Sequence, residues 1–370
     1  LLPLTRGGVV VIADREAQLD PDRLCALCRK ENVQMLQVTP SRLQMLLDDE
    51  ARHGTFAMFS EIMVGGEAFP DHLREALKKI TDARIYNMYG PTETTIWSTV
   101  KDLTDDVPLD IGTPIANTQI YITQAARQPQ PIGVAGDLFI AGDGLARGYL
   151  GRPELTAERF VDNPFQPGTK MYRTGDLARW RADGNIEFLG RSDFQVKIRG
   201  FRIEIGEIET ALARVPGVSG AVVTVLERNP GDKRLVAYCR TEDSALDTAA
   251  LRQRLKETLP DYMIPSFFIT LREFPKTPNG KIDRKALPEP DTALLDEQRT
   301  YRAPETELER RMAAIWQEVL QIEKVGLTDN FFELGGTSLM ITQVLSRVRR
   351  ELQLEIPVLK LMYELSLIHI

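Results

Sequence analysis

Three cysteines and three histidines in 370 residues leave little material for disulfide or metal chemistry. An odd cysteine count in a chain of this length points to reduced thiols and a cytoplasmic setting, not to a disulfide framework. Cys25 and Cys28 stand at metal-ligand spacing, but no second Cys or His pair accompanies them. Both are expected to be structural residues of an amphipathic helix over 22–30. His53, His72 and His369 are scattered and suggest no triad. No apolar run reaches the roughly 18 residues that span a bilayer, and no secretory signal pattern opens the chain, so no membrane partner is expected. A basic excess is missing too: 46 Lys and Arg against 53 Asp and Glu give a net charge of −7, no basis for a nucleic-acid partner. Internal repeats and low-complexity tracts are absent.

What is there is an ordinary soluble composition, 43% apolar and 7% aromatic, in a length suited to two or three domains. The β-branched run 9–12 predicts a buried strand. Asp20 and Pro21 supply an N-cap and a first-turn proline for the helix that follows. Strands are expected over 33–38, 61–66 and 84–89, with a helix opened by Pro70 and running to Ile80. Strands alternating with helices predict a mostly parallel sheet, whose ligand sites lie at the carboxyl ends of its strands. Gly90-Pro91-Thr92-Glu93-Thr94-Thr95 falls at one such end. Its three threonine hydroxyls suit phosphate oxygens, Glu93 suits a magnesium ion, and Tyr89 offers a flat face for a base; the plain alternative is a turn and nothing more. From 107 to 189 the chain turns richer in strands, with runs at 118–123 and 136–141 and a hairpin around Asp183-Gly184-Asn185. Asp176 follows a glycine, so its carboxylate is placed either for a ribose diol or for its own turn.

The stretch 190–200 sets a dense run of charges between Gly190 and Gly200, as suits either an exposed connection that turns at both ends or an ordinary solvated strand edge. Beyond it the order β-α-β-β-α predicts a compact α+β domain ending near Lys281, which a tight turn presents either as a surface lysine or as a mobile cation. Prolines and acids over 288–304 have linker composition. Thr306 and Glu309 fit a capping box, followed by Leu308, Met312, Ile315, Trp316, Val319 and Leu320 as a core face. Ser338 opens a second helix after two glycines, either as a plain N-cap or as a point where an attached phosphate would meet free N–H groups.

Seven motifs in this order resemble nonribosomal peptide synthetases, specifically an adenylation domain followed by a peptidyl carrier domain. They are Asn87 to Glu93, Gly142 to Leu150, Tyr172 to Leu177, Gly190 to Glu209, Leu259 to Pro265, Asn279 to Arg284 and Leu334 to Leu339. The resemblance implies a multidomain α/β and α+β fold. A core over 1–191 combines a parallel sheet with a β-rich subdomain; a mobile α+β lid spans 192–288, a linker 289–303 and a helical carrier 304–364. It implies an ATP-dependent ligase with ATP, Mg2+ and 4′-phosphopantetheine as cofactors. Asn87 and Tyr89 would contact adenine, Thr92 the phosphates, Glu93 the Mg2+, and Asp176 with Arg191 the ribose. Lys281 would bridge the substrate carboxylate and the α-phosphate, Asp193 would be the hinge, and Ser338 would carry phosphopantetheine. The amino-acid pocket would be lined by Gln37, Met63, Gly65, Met88, Ile96 and Trp97, an uncharged set with little free space, which implies glycine or another small substrate. Partners would be a phosphopantetheinyl transferase and neighbouring condensation or thioesterase domains.

Departures accompany the match. The family's phosphate loop and the aspartate for the substrate amine are expected upstream of Leu1, so this stretch by itself is not expected to adenylate. The carrier lacks its last helix, Thr337 stands where the family often has His or Asp, and 365–370 resembles translated adapter sequence and is set aside. Two other readings are an acyl-CoA synthetase-like ligase, disfavoured by the fused carrier motif, and a non-catalytic scaffold, disfavoured by the presence of Glu93, Asp176 and Lys281.

Overall fold

The computed structural model describes residues 2–124, 127–193, 195–198, 200–227, 233–241, 248–277, 282–290, 301–320, 322–331, 334, 336, 338–354 and 356. Lys281, Thr337, residues 291–300 of the linker and the tail 365–370 lie outside them. The chain divides into two compact units, Asn32–Arg202 and Leu1–Glu31 with Ile203–Ile370. The first unit therefore runs past Arg191, and the opening residues group with the second.

In the unit Asn32–Arg202, strands β1 (Met35–Val38), β2 (Glu61–Gly65) and β3 (Arg84–Tyr89) run parallel, with β4 (Thr99–Asp102) and β5 (Thr113–Pro114) added antiparallel. The helices Pro40–Leu47 and Asp71–Lys78 make the two crossovers. Thr39 caps the first by accepting from the Arg42 N–H, with Pro40 in the first turn. Pro70 caps the second instead of entering it. The sheet is mixed and not mostly parallel because residues 90–98 reverse the chain after β3. That connection is shorter than the dozen or so residues a parallel crossover needs.

A second, antiparallel sheet follows in the order β10-β9-β7-β6, from β6 (Thr118–Thr123), β7 (Gly136–Gly142), β9 (Lys170–Trp180) and β10 (Ile186–Arg191). The short β8 (Phe160–Asp162) pairs with β9. The expected hairpin closes β9 onto β10 with Trp180 opposite Ile186. Tyr89 from the end of β3 packs with Ile120, Ile122, Leu138, Ile140, Ala178 and Ile186 in one cluster, so the turn after β3 is anchored against the second sheet. β11 (Gln195–Ile198) and β12 (Phe201–Glu204) then form a two-stranded sheet.

In the other unit, the helix Pro21–Lys30 is capped as expected: Asp20 accepts from the Asp22 and Arg23 N–H groups, and Cys25 and Cys28 are buried. None of the three cysteines is in a disulfide; burial, with Cys25 beside it, raises the Cys28 thiol, and burial pushes Cys239 up to about 11. The strand expected over 9–12 is not there: residues 8–14 carry no regular structure, and Val9 and Ile12 are each 86% exposed. A β-branched run without a pairing strand has no ladder to join.

Helix Ile205–Ala213, antiparallel β13 (Gly220–Glu227) and β14 (Lys233–Arg240), helix Thr248–Lys256 and β15 (Phe267–Leu271) build the α+β part. β15, beyond the predicted order, adds parallel to β14 and contributes Phe267 to a core with Val222, Val236 and Tyr238. Arg284, three residues past Lys281 in the sequence, is tied to this part through the Glu209 carboxylate at 2.7 Å and the Val223 carbonyl at 2.6 Å.

In the helical part, the capping box forms: the Glu309 N–H donates to Thr306 Oγ1 at 3.2 Å and the Thr306 N–H to Glu309 Oε2 at 2.8 Å. Helix Glu307–Leu320 buries Met312, Ile315, Trp316, Val319 and Leu320, but Leu308 is 50% exposed. It sits in the first turn, before the helix reaches the core. Trp316 and Phe331 meet edge to face at 4.8 Å, against Ile341, Val344 and Leu345 of the helix Ser338–Arg347.

Candidate functional site: the turn after β3 and the face of the parallel strands

Glu93 lies in a 3-10 turn, Thr92–Thr94, directly after β3. Its Oε1 accepts from the hydroxyls of Tyr149 and Tyr172, each at 2.7 Å, and both its oxygens accept from Arg202 Nη1 at 3.0 Å. Burial alone would raise its carboxyl, but those hydroxyls and the Arg202 charge outweigh it and hold the group below the usual range. Of the turn's three threonines, two are spent inside the protein. Thr94 Oγ1 pairs with Ser98 Oγ at 2.7 Å and Thr95 Oγ1 donates to the Gly144 carbonyl at 2.6 Å, whereas Thr92 is exposed. The expectation of three free hydroxyls is thus corrected to one.

Asp176, on β9, is 4% exposed. Its oxygens accept from Arg191 Nη1 at 2.7 Å and from the Tyr89 hydroxyl, and its N–H donates to Thr174 Oγ1. Tyr89 is itself buried, with Phe188 beside it and the Lys197 ammonium 5.6 Å from its ring centroid. The free flat face expected at Tyr89 is therefore covered. Burial pushes the Lys197 ammonium below its ordinary value. Asn87, on the same buried face of β3, donates to the Asp110 carbonyl at 2.7 Å.

Arg191 also holds Asp193 with two parallel bonds, Nε to Oδ1 at 2.7 Å and Nη2 to Oδ2 at 2.8 Å. Burial would raise the Asp193 carboxyl; the Arg191 contacts keep it low. This closure needs glycine at 175. At φ +78°, a Cβ there would lie 2.7 Å from Asp193 Oδ2 and 2.8 Å from Arg191 Nη2. The charged run expected to be an exposed connection is instead bound to the sheet at its start, and Gln195 and Ile198 within it are buried.

The six expected pocket residues fall on or beside one face. Gln37 pairs with Met63, and Gly65 with Met88, across β1, β2 and β3, alternating with buried Val38, Ile62, Val64 and Asn87. The Trp97 indole lies over Gly65, where a Cβ would come within 2.6 Å of the ring and 2.5 Å of the Met88 carbonyl, and Trp97 Nε1 reaches Gln37 Oε1 at 3.4 Å. Ile96 is 56% exposed and sits at φ +73°, a strained conformation for a β-branched residue.

The first 150 residues match the family model described as AMP-binding enzyme, residues 207–281 the AMP-binding enzyme C-terminal domain, and residues 310–366 the phosphopantetheine attachment site. The chain is 47% identical over 369 residues to a dimodular nonribosomal peptide synthase of Bacillus subtilis, covering 98% of this chain and 15% of that protein. It is 44% identical to gramicidin S synthase 2 of Brevibacillus brevis, covering 96% of this chain and 8% of that protein. The chain belongs to the nonribosomal peptide synthetases. Among solved structures, it resembles a synthetase containing adenylation and carrier domains bound to a vinylsulfonamide inhibitor, with a TM-score of 0.75 at 28% identity over 95% of this chain and 58% of that one. It also resembles a four-domain nonribosomal peptide synthetase bound to AMP and glycine, with a TM-score of 0.50 at 41% identity over 100% of this chain and 28% of that one.

The synthetase architecture, an α/β core, an α+β domain and a helical carrier, is the one expected, and ATP, Mg2+ and phosphopantetheine are its cofactors. Ser338 is the first residue of a ten-residue helix, the end whose dipole suits an attached phosphate. Glu93 does not fit a Mg2+ in this arrangement. Its two oxygens already take three donors and one full positive charge, and no group of three His, Cys, Asp or Glu side chains gathers among the described residues. Arg202, Tyr149 and Tyr172 were not among the expected site residues; Arg202 lies within the Gly190–Glu209 motif, which is the signal that singled out its segment. No helix among the described residues is long and apolar enough to cross a membrane.

Proposed function

We propose that this protein activates an amino acid with ATP and passes it to its own carrier domain. The substrate carboxylate attacks the α-phosphorus, the bond to the β-phosphate breaks and pyrophosphate leaves; a thiol then takes the acyl group from the adenylate and AMP leaves. Phosphopantetheine, once attached at Ser338 by a phosphopantetheinyl transferase, supplies that thiol. Asp176 and Arg191 hold the ribose hydroxyls, Thr92 faces the phosphates, and Asn87 and Tyr89 line the adenine side, where the ring face now under Lys197 is the one a base would take. Lys281 sets its charge against the one developing at phosphorus, the dominant stabilising effect in such transfers. Asp193 is the pivot between the two half-reactions. Neighbouring condensation or thioesterase domains consume the product.

We further propose glycine as substrate, with alanine second. One observation carries this: the Trp97 indole rests directly on Gly65, leaving no side-chain volume on that part of the strand face. The structure bound to AMP and glycine is a relative at 41% identity, which supports the same reading. ATP–pyrophosphate exchange in the full-length protein over a panel of amino acids tests it. Glycine is expected to give the highest rate, and preference for a bulky aromatic residue contradicts the assignment.

A further inference from the structure

Arg202 makes more hydrogen bonds at Glu93 than a stray surface pair would. One of its nitrogens spans both Glu93 oxygens at 3.0 Å, while the other reaches Tyr172 Oη at 3.3 Å and Gln195 Oε1 at 3.0 Å. Its side chain is 31% exposed and that of Glu93 11%. Gln195 in turn accepts from Arg191, so the pair is continuous with the cluster that fixes Asp193. The guanidinium therefore stands where a cation bound to Glu93 would stand.

We infer that Arg202 is the built-in counter-cation of Glu93, and that a divalent cation takes this carboxylate only as Arg202 leaves it. A second positive group at this half-buried carboxylate meets the Arg202 charge on both oxygens and two tyrosine hydroxyls already on Oε1. Arg202 is carried by β12, which pairs with β11, so losing its anchor at Glu93 loosens the β11–β12 hairpin. Arrival of the cation and undocking of the hairpin are then one exchange. Arg202 is on this account a positioning residue for the proposed two-step function, and the inference deepens that reading of Glu93.

Hydrogen exchange of peptides covering 195–201 tests this, with millimolar Mn2+ added at matched ionic strength. The wild-type protein is expected to exchange severalfold faster in this segment when Mn2+ is present. Arg202→Gln is expected to exchange fast without the cation and to show no further response, and Glu93→Gln to be equally unresponsive. Arg202→Lys, which keeps the charge but loses the two-nitrogen reach, is expected to respond at lower Mn2+ and serves if the glutamine variant does not fold. A wild-type segment indifferent to Mn2+, or a response retained by Arg202→Gln or Glu93→Gln, overturns the inference. Calorimetric titration with ATP in the absence of divalent cations reads the nucleotide assignment separately. Absent ATP binding with an intact Mn2+ response would remove that assignment and leave the exchange at Glu93 standing.

Discussion

Arg191→Met removes the group on which two carboxylates converge. Arg191 and Asp176 are 13% and 5% exposed at the side chain, and Asp193 is 31% exposed. Stripping the partner from a buried ion pair costs about 3–5 kcal/mol. The Asp193 arm is partly screened by water, so most of the loss comes from Asp176, and a total of about 3 kcal/mol is expected. That is a large share of a typical stability of about 5–15 kcal/mol. Arg179 offers an internal comparison in the same sheet, because it grips Glu187 with the same two-bond geometry at 2.9 and 3.0 Å. Its side chain is 42% exposed, so Arg179→Met is expected to leave the transition nearly unmoved. Urea unfolding followed by tryptophan fluorescence compares the two variants. The pH dependence has a defined sign. Asp193 is held below its ordinary value, so its contribution is present at neutral pH and is lost as pH falls through the depressed folded value. The Asp193 part of the Arg191→Met penalty should therefore be full at neutral pH and fade in acid below roughly pH 4. Equal effects of the two substitutions would refute the argument from burial.

Two further outcomes are expected. Gly65→Ala drives a methyl into both the Trp97 ring and the Met88 carbonyl; because the carbonyl belongs to the adjoining strand, a loss of about 1–3 kcal/mol is expected by thermal melting, with a drop in kcat/KM for glycine. Asp193→Pro is expected to impair thioester formation far more than adenylate formation, read by single-turnover assays of each step, and equal loss of both would reject the pivot role.

Local chemistry was the most legible part of this sequence. The Asp20 cap and the Thr306–Glu309 box join residues two or three positions apart, and the 183–185 hairpin needs only its turn residues. Motif order likewise brought out Glu93, Asp176 and Arg191, which the structure places in one unit. What joins them was not legible. Glu93 meets Tyr149, Tyr172 and Arg202 across separations of 56, 79 and 109 residues, and no periodicity records such contacts. The β-branched run 9–12 shows the reverse failure, strand propensity without a partner strand. The antiparallel half of the first sheet is set by the length of the Gly90 turn, too short for a parallel crossover, and not by the strand pattern. Thr94 and Thr95 looked available because their acceptors, Ser98 and the Gly144 carbonyl, are set by the folded turn.

Intact-protein mass spectrometry of the full-length protein, after phosphopantetheinyl transferase and CoA and then ATP with glycine, tests the proposed reaction most directly. The expected result is a mass gain of one phosphopantetheine, then one glycyl group, both abolished in Ser338→Ala. Absence of either gain on a folded carrier, or a gain that survives Ser338→Ala, would contradict the assignment of an amino-acid-activating enzyme that loads its own carrier domain.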